Sequence, residues 1–317
     1  MLMNAISRKS AIAAIILLVA ILTAAVLRYW FAPFNMELAD NPAHEKVWLV
    51  VIAVFLYFGN AFLQGKMLMR AGLSSSQNTL PIPVFGLLAC GVFVAPDMIA
   101  TSAASFCFAF ALYLLLRSLH NLEETDSVFF ASILLGITAL LYPPCVVLAA
   151  VIPISIFALA LSLRQSLLMI VGYVMPLFVS SYVVWYRGGG FLDVGSQLCS
   201  GIATSQMAAI DQVPYVAISM VALIGVLLIW GVIYAAIRPV KILMLMRVRR
   251  ALYFFIFVAL STMAIFFMPA CDLSVCAIIA VPMTMLLCFV LDMLPGGLST
   301  IAYWALLALF VAHLFVA

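Results

Sequence analysis

The chain has 317 residues, of which 68% are hydrophobic and only 8% are charged. A water-soluble fold could not hide so much apolar surface, so the composition excludes a soluble globular protein and indicates helices that cross a bilayer. The net charge is +3, no nucleic-acid partner is expected, and the lipid bilayer is the expected partner.

Apolar runs recur along the whole chain and predict an all-α, polytopic bundle of about eleven transmembrane helices. The run after Arg8 and Lys9 is long for a signal peptide and further spans follow it, so we interpret it as a retained first helix. We treat 1–317 as one transmembrane domain, with 213–317 as a C-terminal four-helix portion. The predicted spans are 11–28, 47–65, 80–95, 98–117, 127–142, 145–163, 166–185, 213–237, 251–268, 273–291 and 298–316.

The distribution of charge predicts the orientation of these spans. With a cytoplasmic N-terminus, eleven of the fourteen Lys and Arg residues fall inside and three fall outside. Because cytoplasmic loops are enriched in cations, this split predicts a cytoplasmic N-terminus and a periplasmic C-terminus. Seven of the eleven acids fall outside, although acids contribute little to orientation.

The first external loop, 29–46, concentrates three of those acids. Glu37, Asp40 and Glu45 lie there with His44. One interpretation is a solvated connection whose charges mark the water boundary. The alternative is that Glu37 or Asp40 acts as a general base or metal ligand at the membrane surface.

Asp97 follows Pro96 at a predicted tight turn between two spans. A carboxylate so close to the hydrocarbon boundary is costly unless it caps the next helix or serves a site. Both interpretations of Asp97 stay open: it caps the helix that begins at Met98, or it belongs to a functional site.

Arg187 precedes three glycines and opens a long predicted loop that ends near 213. A guanidinium on mobile, glycine-rich backbone could hold phosphate oxygens in a bidentate fork. The alternative is an interfacial anchor, because Trp185 and Tyr186 stand beside it.

Small and sulfur-containing residues give two further expectations. The run of small residues at 101–105 predicts a central, tightly packed helix. The seven cysteines show no metal-ligand spacing. A disulfide between Cys199 and Cys271 is permitted in the periplasm, but the sequence does not fix their distance.

The stretch 91–157 resembles the middle of the membrane-embedded GT-C glycosyltransferases. The matching pieces are the external turn Pro96–Asp97, "ALYLLLR" at 111–117 and "GITALLYPP" at 136–144. The resemblance extends loosely over 80–190, so that 1–190 forms a GT-C-like helical module. The chain also resembles an uncharacterised bacterial family of polytopic inner-membrane proteins with this N-terminal pattern.

The GT-C resemblance implies a polyprenyl-phosphate-linked sugar that enters sideways from the bilayer at the outer leaflet. Asp40 or Glu37 would then be the catalytic carboxylate, Asp97 the second acid and Arg187 the phosphate-binding residue. The cofactor stays open, with a divalent metal as one alternative. The first loop lacks a clean paired-acid motif, and no large external domain follows the spans. A non-catalytic lipid or glycan transporter, or a scaffold subunit with membrane-protein partners, is therefore the alternative function.

Overall fold

A computed structural model describes residues 11–31, 47–73, 79–90, 98–118, 125–203, 222–227, 229–230, 246–266, 275–294 and 296–316. All regular elements in these ranges are helices, which confirms the all-α prediction. The helices are α1 Ala11–Phe31, α2 Val47–Ala71, α3 Pro81–Cys90, α4 Met98–Ser118, α5 Thr125–Leu141, a 3₁₀ helix Pro143–Ala150, α6 Val151–Leu159, α7 Leu163–Tyr186, α8 Asp193–Ala203, α9 Met246–Phe266, α10 Cys276–Met293 and α11 Gly296–Val316.

Five of the described helices are long and apolar enough to cross a membrane, namely α2, α4, α7, α9 and α10. Shorter apolar helical stretches lie in α1, α5, α11 and the joined 3₁₀ helix and α6. Together with the composition, these helices indicate an integral membrane protein. Most of the predicted span 213–237 lies outside the described residues; the parts that are described, 222–227 and 229–230, are helical.

The helix boundaries around residue 160 differ from the prediction for local reasons. The predicted span 145–163 is a 3₁₀ helix followed by α6, which ends at Leu159 because Ala160 is left-handed, with φ of 53°. The next helix begins at Leu163 instead of 166. Its N-cap Ser162 and Gln165 form a capping box, in which each side chain bonds the backbone N–H of the other residue.

Helix α10 occupies the centre of the bundle and α7 lies at its periphery. Every side chain of α10 from 277 to 291 is buried, and the helix contacts α2, α3, α4, α9 and α11. Helix α7 packs chiefly against α5 and buries only Gln165, Met169, Gly172 and Tyr173, a single stripe at helical spacing. The small-residue run of α4 is also central, since Thr101, Ser102, Ala104 and Ser105 are buried, which confirms that prediction.

Glycines allow α5 and α7 to cross closely. A Cβ added to Gly136 would lie 2.5 Å from Pro176 Cγ and 2.6 Å from the Tyr173 carbonyl oxygen. A Cβ added to Gly172 would overlap Ser132 Oγ. Because Gly136 meets Pro176 and Ser132 meets Gly172, the two helices run parallel, and their backbones approach through small residues as in other membrane helix pairs.

Contacts between side chains also give the direction of α2, α4 and α9. Asn60 contacts Ser105, and Arg70 lies over Tyr113, so α2 and α4 run parallel. Gly72, just after α2, lies beside Val248 in the first turn of α9. The last turns of α2 and α4 and the first turn of α9 therefore lie at the same end of the bundle.

Candidate functional site

Three of the four predicted site residues, Glu37, Asp40 and Asp97, lie outside the described residues. The helix that Asp97 was expected to precede does begin at Met98. Arg187 is described and its side chain is exposed. That Arg187 and these three acids belong to one site therefore stays a prediction.

Arg187 is the C-cap of α7, and the glycines after it terminate that helix. The Gly188 N–H bonds to the Trp185 carbonyl at 3.0 Å, and the Gly189 N–H bonds to the Val184 carbonyl at 3.0 Å. These two bonds form a Schellman motif. Gly188 has φ of 92°, a value that a residue with a Cβ rarely adopts.

The third glycine joins this turn to α8. The Gly190 N–H donates to the Asp193 carboxylate at 2.6 Å, and a Cβ on Gly190 would collide with that carboxylate. The prediction of a long loop after Arg187 is therefore wrong for 187–203, which consists of a hydrogen-bonded turn and then α8. Arg187 is held at a defined point instead of on free backbone.

Aromatic side chains surround the Arg187 turn. Phe191 folds back onto Phe178 of α7, with ring centroids 5.6 Å apart in an edge-on arrangement. Trp185 and Tyr186 are exposed beside Arg187. Exposed Trp and Tyr at the end of an apolar helix are typical of the membrane–water interface, so the anchor interpretation and the phosphate interpretation of Arg187 both fit this position.

A chain of hydrogen bonds links α2, α4 and α10 in the bundle interior. Gln64 Nε2 donates to Asn60 Oδ1 at 3.4 Å, and Asn60 Nδ2 donates to Ser105 Oγ at 2.8 Å. The Ser105 hydroxyl then donates to the Ala277 carbonyl at 2.7 Å. All three side chains are buried. This chain of hydrogen bonds was not predicted from the sequence, although Asn60 and Gln64, four positions apart in an apolar span, form a polar pair on one helix face.

The carbonyl at the end of this chain fixes its direction. A carbonyl can only accept, so the Ser105 hydroxyl donates its hydrogen bond to the Ala277 carbonyl. Asn60 therefore turns its amide N–H toward Ser105 and its oxygen toward Gln64. Gln64 Oε1 is consequently left over; it is buried and has no hydrogen-bond partner. An unsatisfied buried acceptor costs about 1–3 kcal/mol, so this position fits a donor such as a hydroxyl or a water molecule.

Basic side chains collect at one end of the described structure. Arg70 and Arg117 lie in the last turns of the parallel helices α2 and α4, and Arg249 and Arg250 lie in the first turn of α9. Six residues connect α4 to α5 and reach at most roughly 25 Å, less than the roughly 30 Å length of α4. Helix α5, and with it the parallel α7, therefore begins at this same end.

We call this the basic end. It holds six of the seven basic side chains that the structure describes, and Arg187 lies at the opposite end of α7. The six are Lys66, Arg70, Arg117, Arg164, Arg249 and Arg250.

Within the described ranges, no group of three His, Cys, Asp or Glu side chains is placed to hold a metal ion. Cys199 is a free, exposed thiol in α8, whereas Cys271 lies outside the described residues. Pairing of the two cysteines stays open.

Comparison of this chain with known protein families, with curated proteins and with solved structures finds no match.

Proposed function

We propose that the chain is a bacterial inner-membrane protein that transfers or handles a polyprenyl-phosphate-linked sugar at the outer leaflet. In this proposal the chain has about eleven spans, a cytoplasmic N-terminus and a periplasmic C-terminus. The collection of described cations at the basic end supports this orientation, because that end would face the cytoplasm.

The position of Arg187 carries the functional part of the proposal. Arg187 is exposed at the end of α7 that is opposite to the basic end, on a hydrogen-bonded turn. Below it, α7 exposes apolar side chains such as Val179 and Val171 along its length. A guanidinium above an apolar helix face matches a phosphate attached to a long isoprenoid chain that lies in the bilayer.

The proposed chemistry also needs the acids of the external side. Asp40 or Glu37 would take a proton from the acceptor, and Asp97 would be the second acid of the site. Arg187 would offset the negative charge on the departing lipid phosphate. The polyprenyl phosphate would thus bind through Arg187 even in the absence of a competent carboxylate.

Binding of undecaprenyl phosphate to the full chain in lipid nanodiscs tests the substrate class. We expect Arg187→Ala to weaken binding about tenfold or more, since hydrogen bonds to charged groups contribute about 1.5–3 kcal/mol. Arg164→Ala is the matched control, because it removes an exposed arginine from the other end of the same helix. Equal binding by both variants and the unaltered chain would overturn the proposal.

Complementation of a deletion strain tests the reaction. Asp40→Asn and Asp97→Asn should insert normally and lose about 10²–10³ in sugar transfer. Asp211→Asn, predicted to be external and outside the site, should retain it. Full complementation by both site variants at normal protein levels would favour the non-catalytic transporter or scaffold, since either could bind the lipid without these acids.

A further inference from the structure

The groove between α2 and α4 at the basic end has features that the proposed outer-leaflet function does not use. The Arg70 guanidinium carbon lies 4.4 Å from the centroid of the Tyr113 ring, a cation–π geometry that holds the side chain against α4. Arg70 is half-buried, and its Nη1 atom is buried without a hydrogen-bond partner. An aromatic ring attracts the positive charge but does not replace the missing acceptor.

Two further cations share the faces that meet in this groove. Lys66 lies four residues before Arg70 on α2, and Arg117 lies four residues after Tyr113 on α4, so each pair occupies one helix face. Lys66 and Arg117 are both exposed. Within the described ranges no carboxylate forms an ion pair with Arg70 or Lys66, so the positive charge of these two side chains is left for an external anion.

An aromatic ladder leads from the middle of the bundle toward these cations. Phe106, Phe110 and Tyr113 of α4 stack with ring centroids 6.4 Å and 6.1 Å apart and nearly parallel planes. Gly59 of α2 allows the close approach, since a Cβ there would lie 3.1 Å from Phe106. Phe110 and, on α2, Phe62 are exposed to the surroundings of the bundle.

We propose that the α2–α4 groove at the basic end binds an anionic phospholipid. Lys66 and Arg70 would hold the headgroup phosphate, and an acyl chain would lie along Phe62 and Phe110. Phosphate oxygens supply the acceptors that a guanidinium needs, and basic pockets between transmembrane helices bind such headgroups. The aromatic ladder distinguishes a lipid from a free phosphate, because only a lipid carries a chain that covers it.

This site differs from the proposed polyprenyl phosphate site at Arg187. It lies at the other end of the bundle and requires only that the chain is embedded in a membrane. Failure of one proposal therefore leaves the other unaffected.

Titration of the full chain with phosphatidylglycerol in phosphatidylcholine nanodiscs, followed by native mass spectrometry, tests the groove. The substitution Lys66→Ala changes an exposed side chain and should weaken binding roughly fivefold, on the basis of about 1 kcal/mol per cation. The matched control is Arg164→Ala, which removes one exposed cation from the same end, on a helix that packs chiefly against α5. We expect the control to change binding less than twofold.

Two further variants test the aromatic contacts. Tyr113→Phe keeps the ring under Arg70 and should bind as the unaltered chain does, whereas Tyr113→Leu should bind several-fold more weakly. Phe110→Ala should weaken the binding of phosphatidylglycerol more than that of a short-chain analogue.

The outcomes separate the alternatives. An equal loss in the groove variant and in its control would mean diffuse attraction to the basic end and would overturn the proposal. Displacement of phosphatidylglycerol by glycerol phosphate at equal concentration would identify a soluble phosphate site and would also overturn it. Retention of phosphatidylglycerol by the groove variant would do the same.

Discussion

Helices α7 and α10 have almost the same mean hydropathy, yet 17% of the residues in the α7 span and 78% of those in the α10 span are buried within the bundle. In water such a difference would be unfavourable, because the exposed helix would lie in contact with the solvent that its side chains avoid. In a bilayer the lipid is as apolar as leucine, so hydrophobicity does not decide which helix is central. Packing and hydrogen bonds between helices decide it instead.

The largest expected effect tests the buried helix. Leu287 of α10 is fully buried, whereas Leu167 of α7 is 57% exposed. Truncation of a core leucine leaves a cavity, so Leu287→Ala should lower the free energy of unfolding by about 2–4 kcal/mol. Leu167→Ala should change it by less than about 0.5 kcal/mol. Thermal or denaturant unfolding in detergent measures both, and similar losses would contradict the central position of α10.

An intermediate effect tests how α7 is held. Gly136→Ala would place a Cβ against Pro176 and the Tyr173 carbonyl oxygen, and backbone cannot move aside cheaply. We expect a loss of about 1–3 kcal/mol from overpacking at the α5–α7 crossing. Gly195→Ala in α8 is the control, because nothing lies within 4 Å of its added Cβ. If Gly136→Ala unfolds like the control, the close crossing is not what attaches α7.

The smallest effect tests the polar link to α10. Ser105→Ala removes the donor to the Ala277 carbonyl and the acceptor of the Asn60 amide, at a cost of about 1 kcal/mol. Ser102→Ala is the matched control, since Ser102 is equally buried in the same helix and bonds the Ile99 carbonyl of its own turn.

A double-mutant cycle isolates the contact between Ser105 and Asn60. Ser105→Ala combined with Asn60→Leu should give a coupling energy of about 0.6 kcal/mol, the average for hydrogen bonds between membrane helices. A coupling energy of zero would show that the hydrogen bond does not stabilise the pairing of α2 with α4.

The helices themselves could largely be predicted, because each apolar run carries its own signal. Their ends follow from single residues: Gly72, with φ of 66°, terminates α2 six residues beyond the predicted end at 65, and the Ser162–Gln165 capping box begins α7. Both signals are present in the sequence. They were missed because the predicted ends followed hydropathy alone.

The functional site was predictable only in part. Arg187 stands out in the sequence as a cation beside glycines, but whether those glycines are mobile depends on bonds to Val184 and Trp185. The chain through Asn60 could not be derived, because Ser105 and Ala277 lie 172 positions apart in sequence. Periodicity assigns a residue to a face, whereas the identity of its neighbour depends on how the helices associate.

The 3₁₀ helix Pro143–Ala150 has a consequence for how far a short segment of chain can reach. A 3₁₀ helix rises about 2.0 Å per residue and an α-helix about 1.5 Å, so the eight 3₁₀ residues followed by the nine of α6 extend about 30 Å. An uninterrupted α-helix of the same length would extend only about 25 Å. The stretched geometry after Pro143 thus allows seventeen residues to match the roughly 30 Å hydrocarbon thickness of a bilayer, at the cost of weaker backbone hydrogen bonds.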